Sequence, residues 1–138
     1  MQNDLTRFSV TIQKELLDEL DYLAEKRGKD VNRSELIRDL VRDAIEKDKL
    51  DSPEVNVIGT LTIMYNHHSS DLTDRLHDIQ HDFCPNIIST THVHVDAHTC
   101  LEVIILKGEN EIVQMISNRI LGTKGVRHGK LVVTSVEQ

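Results

Sequence analysis

Seven of the chain's eight histidines fall between His67 and His98, and Cys100 stands just beyond them. Imidazole and thiolate are borderline to soft donors. Such a cluster points to a transition metal rather than to Mg²⁺ or Ca²⁺. His92 and His94 are two apart in Thr91-His92-Val93-His94-Val95, a stretch rich in strand-forming residues. A strand repeats every two residues, so both rings share one face with Cα atoms roughly 6–7 Å apart. Asp96-Ala97-His98-Thr99 reads as a turn, and Cys100 opens the next strand, where its sulfur can lie beside the two rings. His81, at the end of the preceding helical segment, adds a third imidazole. Zn²⁺ would take these four donors as a tetrahedron; Ni²⁺ or Cu²⁺ would accept a square plane. Donor chemistry alone does not choose among them. The thiol must lose its proton to bind, so affinity should fall in acid. His67, His68 and His98 lie in polar, loop-like settings and are expected at the surface. His77, one helical turn before His81, reads as a solvated neighbour. His128, in Gly-Val-Arg-His-Gly, reads as a turn residue, and Cys84, before Pro85, as a free thiol.

The elements that must position these donors follow from periodicity. Val55–Tyr65, Ile87–Val95, Cys100–Lys107 and Lys130–Val136 read as strands. Asp71–Phe83 carries Leu72, Leu76 and Ile79 at helical spacing, with Ser70 as a candidate cap. Glu111–Leu121 is a second helix with Ile112, Val113, Met115, Ile116 and Ile120. The order βαββαβ is the ferredoxin-like arrangement, two helices on one face of a four-stranded sheet. The apolar strands leave the other face to be covered, and another subunit is the expected cover.

Before this comes a different module. Lys47–Val55 is charged, holds a Ser-Pro step and shows no periodicity. It divides the chain into residues 1–49, a linker at 50–54, and residues 55–138. In the first part Phe8, Val10 and Ile12 alternate with Arg7, Ser9 and Thr11, a half-buried strand. Leu16, Leu17, Leu20, Leu23 and Ala24 form an amphipathic helix that Gly28 can stop. Asn32-Arg33-Ser34-Glu35 is a capping box ahead of a second helix with Leu36, Ile37, Leu40, Val41, Ala44 and Ile45. A lone strand over two helices leaves both edges unpaired and too little core. Pairing the strand with its copy from a second chain repairs both. The resulting two-stranded ribbon fits the DNA major groove, with Arg7, Ser9 and Thr11 facing outward as base readers. The start of the second helix, at Arg33, suits a phosphate. Residues 7–47 thus resemble the ribbon-helix-helix family of DNA-binding proteins. Residues 1–50 hold 10 Lys/Arg against 12 Asp/Glu. DNA contact must therefore rest on local placement, at Arg7 and Arg33 with Lys26 or Lys29 as further candidates.

Composition narrows the classes. The 138 residues carry a net charge of −7, which argues against indiscriminate nucleic-acid binding. No apolar run approaches the roughly 18–20 residues of a membrane span. Met1–Thr6 is polar with no signal-peptide core behind it, so the cytoplasm is expected, and two cysteines make no disulfide scaffold. Four protein donors leave no open coordination position, which argues against an enzyme. A small-molecule effector on the same architecture, another transition metal, or metal storage remain as alternatives.

The pattern His81-x10-His92-x-His94-x5-Cys100, followed by Leu101-Glu102-Val103, Leu106-Lys107-Gly108 and Gly125-Val126-Arg127-His128-Gly129, resembles the nickel-responsive regulator family, NikR. So does Asn32-Arg33-Ser34-Glu35 with Ile37-Arg38-Asp39. The resemblance covers nearly the whole chain. It implies an α+β protein, a ribbon-helix-helix domain followed by a ferredoxin-like, ACT-type domain. It implies a homotetramer, a dimer of dimers, that represses nickel uptake genes by binding double-stranded operator DNA. It implies one square-planar Ni(II) per chain, held by His92, His94 and Cys100 of one chain and His81 of another. It further implies supporting roles for Tyr65, Gln80 and Glu102, and a weaker interdomain cation site at Glu35 and Asp39. Glu102, two residues past Cys100, can accept a hydrogen bond from the N–H of a ligand histidine.

Overall fold

The computed structural model describes residues 4–28 and 30–136. Lys29, one of the candidate phosphate contacts, lies outside them. The chain forms two compact units, Met1–Ala44 and Ile45–Gln138.

In the first unit, helix α1 runs over Lys14–Arg27 and ends at Gly28, whose φ of 141° is a conformation that favours glycine. Helix α2 runs over Arg33–Lys49. Asn32 caps it, its Oδ1 accepting from the Glu35 N–H at 2.9 Å. Arg33 and Asp21 tie the helices together through a two-pronged ion pair, Nε to Oδ1 at 2.7 Å and Nη2 to Oδ2 at 2.9 Å. The Arg33 hydrogen bond holds the Asp21 carboxyl below its ordinary value. That contribution is present above the ordinary carboxylate range and lost as pH falls through the lowered value.

Residues 4–13 form no regular element in the single chain. A strand is defined by hydrogen bonds to a neighbour, and none is available here. Phe8 and Val10 are 68% and 65% exposed, while Ala24 and Leu36 are the buried apolar side chains of this unit among the described residues. Too little is covered for the unit to hold alone.

The second unit contains β1 (Asn56–Asn66), α3 (Ser70–Asp82), β2 (Ile87–His94), β3 (Thr99–Glu109), α4 (Asn110–Leu121) and β4 (Val126–Ser135). The sheet order is β2-β3-β1-β4, antiparallel throughout, which is the ferredoxin-like topology. The last turn of α2 belongs to this unit: Leu50 packs on its core, and the Leu50 carbonyl accepts from Asn110 Nδ2 at 2.6 Å. Strand β4 opens at Val126, earlier than the apolar pattern indicates: Val126 pairs with Tyr65 and His128 with Met64, and the register shift between them leaves Arg127 as an extra residue that interrupts the alternation. His128 is therefore a strand residue opposite Met64, not a turn residue.

One sheet face carries Val57, Leu61, Ile63, Ile104 and Leu106 against Leu72, Leu76 and Ile79 of α3 and Val113, Ile116 and Ile120 of α4. Gly59 lets α4 sit close; a Cβ there would stand 3.0 Å from Val113 Cγ1. The opposite face presents Ile58, Met64, Leu101, Val103 and Ile105, only partly covered, beside exposed Val93 and Val132.

Candidate metal centre

Strand register decides which side chains meet. Cys100 on β3 pairs with Tyr65 on β1 and with His94 on β2. One step along, Glu102 pairs with Ile63 and His92. Partners across an antiparallel ladder share a face, so His92, His94, Cys100, Tyr65 and Glu102 all point to the helix side of the sheet. Cys100 is fully buried and Glu102 is buried, while both histidines stand exposed at the sheet's edge.

The sulfur of Cys100 lies 3.5 Å from His94 Nδ1 and 3.2 Å from His67 Nδ1. These three residues are the group among the described residues whose donors converge closely enough for one ion. Two ligands at about 2.3 Å (sulfur) and about 2.0 Å (nitrogen) from one metal stand about 3.0 Å apart at a right angle and about 3.5 Å at the tetrahedral angle. Both observed separations fall in that range, so the donors fit a transition metal. His92 stands beside the group, its ring centroid 4.9 Å from that of His94.

His67 is the residue that sequence reasoning missed. It is exposed, as expected, yet it lies against the thiol. The signal was available: His67 is two residues past Tyr65, so the strand's phase carries it to the face of Cys100. Its N–H donates to the His98 carbonyl at 2.8 Å, which continues the ladder past the end of β1.

A polar network supports the cluster. Gln80 Nε2 donates to Glu102 Oε1 at 3.2 Å, and the Tyr65 hydroxyl donates to Glu102 Oε2 at 3.2 Å. The Tyr65 oxygen is also 3.1 Å from His92 Nδ1. With the phenol proton directed at Glu102, that oxygen can accept from His92 Nδ1–H, which frees the Nε2 lone pair for a metal. Glu102 thus reaches the histidine through Tyr65 and not directly. Burial, and then the Glu102 charge, push the Tyr65 phenol well above its ordinary value, so it keeps its proton. Tyr65→Phe should leave Glu102 Oε2 unpaired and lower metal-free stability by about 1–3 kcal/mol. It should also weaken metal binding by roughly 10–100-fold. Urea unfolding and a metal titration on the same variant check both.

His81 does not join the cluster. It is exposed on α3 directly after Gln80. Neighbouring helical residues point about 100° apart. Turning Gln80 inward to Glu102 therefore turns His81 outward. His77 is exposed, and Cys84 is an exposed free thiol.

In the first unit, Arg7, Ser9 and Thr11 are exposed. The Arg33 side chain is engaged by Asp21, and Lys26 Nζ sits 5.0 Å from the centroid of the Tyr22 ring. Asp39 meets Arg42 at 3.1 Å and Arg27 at 3.7 Å, while Glu35 is exposed beside the cap. Among the described residues no helix is long and apolar enough to cross a membrane.

Residues 58–134 match the family described as the NikR C terminal nickel binding domain, and residues 6–48 match the ribbon-helix-helix protein, copG family. A protein of Trichlorobacter lovleyi, provisionally described as a nickel-responsive regulator, is 48% identical over 96% of this chain and 94% of its own length. A Pyrococcus abyssi protein with the same description is 49% identical over 96% of this chain and 95% of its own. One from Geobacter metallireducens is 44% identical over 96% and 94%.

Proposed function

The chain belongs to the NikR family of nickel-responsive regulators, and on that premise we propose that it represses transcription in the cytoplasm when Ni(II) is bound. The family is one of regulators, not enzymes. The ligands are His92, His94 and Cys100 of one chain and His81 of a second, one ion per chain. What carries this reading is the split seen in the site: the adjacent strands β2 and β3 bring His92, His94 and Cys100 to one face, while α3 turns His81 to the outside, where another chain can use it. Bound nickel supplies one thing, a bond between chains. A homotetramer, built as a dimer of dimers, covers the outer apolar face of the sheet, and the paired ribbons cover Phe8, Val10 and Ile12.

On double-stranded operator DNA, Arg7, Ser9 and Thr11 read base edges from the ribbon, and Arg33 with the start of α2 positions a phosphate. The Arg33 side chain must share or leave Asp21 to do so. Glu35 and Asp39 are the candidates for a second, weaker cation between the domains; Asp39 already has two arginine partners.

Ni(II) titrated into metal-free protein should raise a thiolate charge-transfer absorption band that saturates at one ion per chain. A response without that band would move the reading to another metal or to a small-molecule effector on the same scaffold.

A further inference from the structure

Residues 50–54 carry no periodic pattern, yet they are not a loose tether. They lie within the same compact unit as the sheet, and the Leu50 side chain packs on its core. Three hydrogen bonds strap this segment to the start of α4. Asn110 Nδ2 donates to the Leu50 carbonyl at 2.6 Å. The Glu111 N–H donates to the Pro53 carbonyl at 3.0 Å, and the Asn110 N–H to the Val55 carbonyl at 2.8 Å.

The need is mutual. The first N–H groups of a helix have no partners within it, and Glu109, which precedes α4, makes no side-chain cap bond. The carbonyls of Pro53 and Val55 take that place. Asn110 is 7% exposed, so its amide must find partners inside the protein. Leu50 supplies the acceptor, and Gln114 Nε2 donates to Asn110 Oδ1 at 3.3 Å. Asn110 directly follows β3, the strand that carries Cys100 near its other end. At about 3.3 Å per residue, roughly 33 Å of strand separates the two. On the other side of the clamp, α2 runs to Lys49 and so leads straight into Leu50.

We propose that Asn110 is a positioning residue for the nickel response: it clamps residues 50–55 to the metal-binding unit, and the effect of nickel on DNA binding depends on that clamp. The inference rests on the nickel-regulator reading above. A segment free to reorient transmits no preference, because the ion then meets the same ensemble with or without DNA. With the clamp made, the end of α2 is held in one place on the unit that binds the ion.

The test compares the full-length protein with Asn110→Ala and Asn110→Asp. Aspartate has the shape of asparagine and suits the first turn of a helix, but as a carboxylate it cannot donate to the Leu50 carbonyl. Both variants should keep the thiolate band at one ion per chain, while amide hydrogen exchange over residues 50–55 quickens by about tenfold. Both should bind operator DNA without nickel as the unmodified protein does. Both should lose the tightening with Ni(II), from about 5- to 150-fold down to less than about 2-fold. Variants that tighten as the unmodified protein does would overturn the proposal. So would free-chain exchange rates at Leu50, Asp51 and Ser52 in the unmodified protein, a readout that needs no variant to fold. No nickel effect on DNA in the unmodified protein would end the regulator reading itself, and the coupling role with it.

Discussion

Cys100→Ala should remove the thiolate band and weaken nickel binding by at least about 100-fold. Losing a group behind the ligands already costs roughly 10–100-fold, and Cys100 is the one sulfur donor at the point where His67 and His94 converge. The wider consequence is on DNA. The metal-free and metal-treated variant should bind operator DNA with the same weak affinity, because the link between chains is gone. Cys100 is fully buried, so the substitution also takes volume from the core. Cys100→Ser keeps most of that volume and should lose the band too. An unfolding curve on each variant separates a folding defect from a missing ligand. A Cys100→Ala protein that still tightens on DNA with nickel would place the centre elsewhere.

Val10→Asp should have the opposite selectivity: a normal nickel band and no specific DNA binding. Val10 is 65% exposed in one chain, and the ribbon reading buries it, together with its copy, over the helices of two chains. A carboxylate there costs at least about 2–3 kcal/mol per chain. Two copies per ribbon lower DNA affinity by about 10³-fold or more. Fluorescence anisotropy with labelled operator DNA reads the loss. Unchanged DNA binding would mean that Phe8, Val10 and Ile12 do not face inward, and that the segment is a solvated strip.

What could be read from sequence differs between these two regions for a physical reason. The helices and the sheet of the second unit were legible because their signals are local: Gly28 stops α1, Asn32 caps α2, and the apolar run of β3 reads as a buried strand. The ribbon strand is legible as a pattern but forms no strand in one chain, as expected if its hydrogen-bond partner is the copy in the proposed dimer. Tyr65 marks the last apolar residue of its run, and ending the strand there hid His67, whose phase carries it to Cys100. The route from Glu102 to His92 through Tyr65 also escaped, since it depends on register across three strands. Gln80 and His81 show the reverse. Their adjacency forces them apart on a helix, so the structure separates the side chain that reaches Glu102 from the histidine proposed as a ligand, which no spacing rule could assign to a chain.

The measurement that tests the account most directly is operator DNA affinity with and without Ni(II), at fixed ionic strength, on the unmodified full-length protein. Salt must be held constant because phosphate contacts dominate affinity. Coupling between two sites runs typically from about 5- to 150-fold, and the account predicts tightening in that range or above, reversed by a chelator. Equal affinity in both conditions, or release from DNA by nickel, would contradict it.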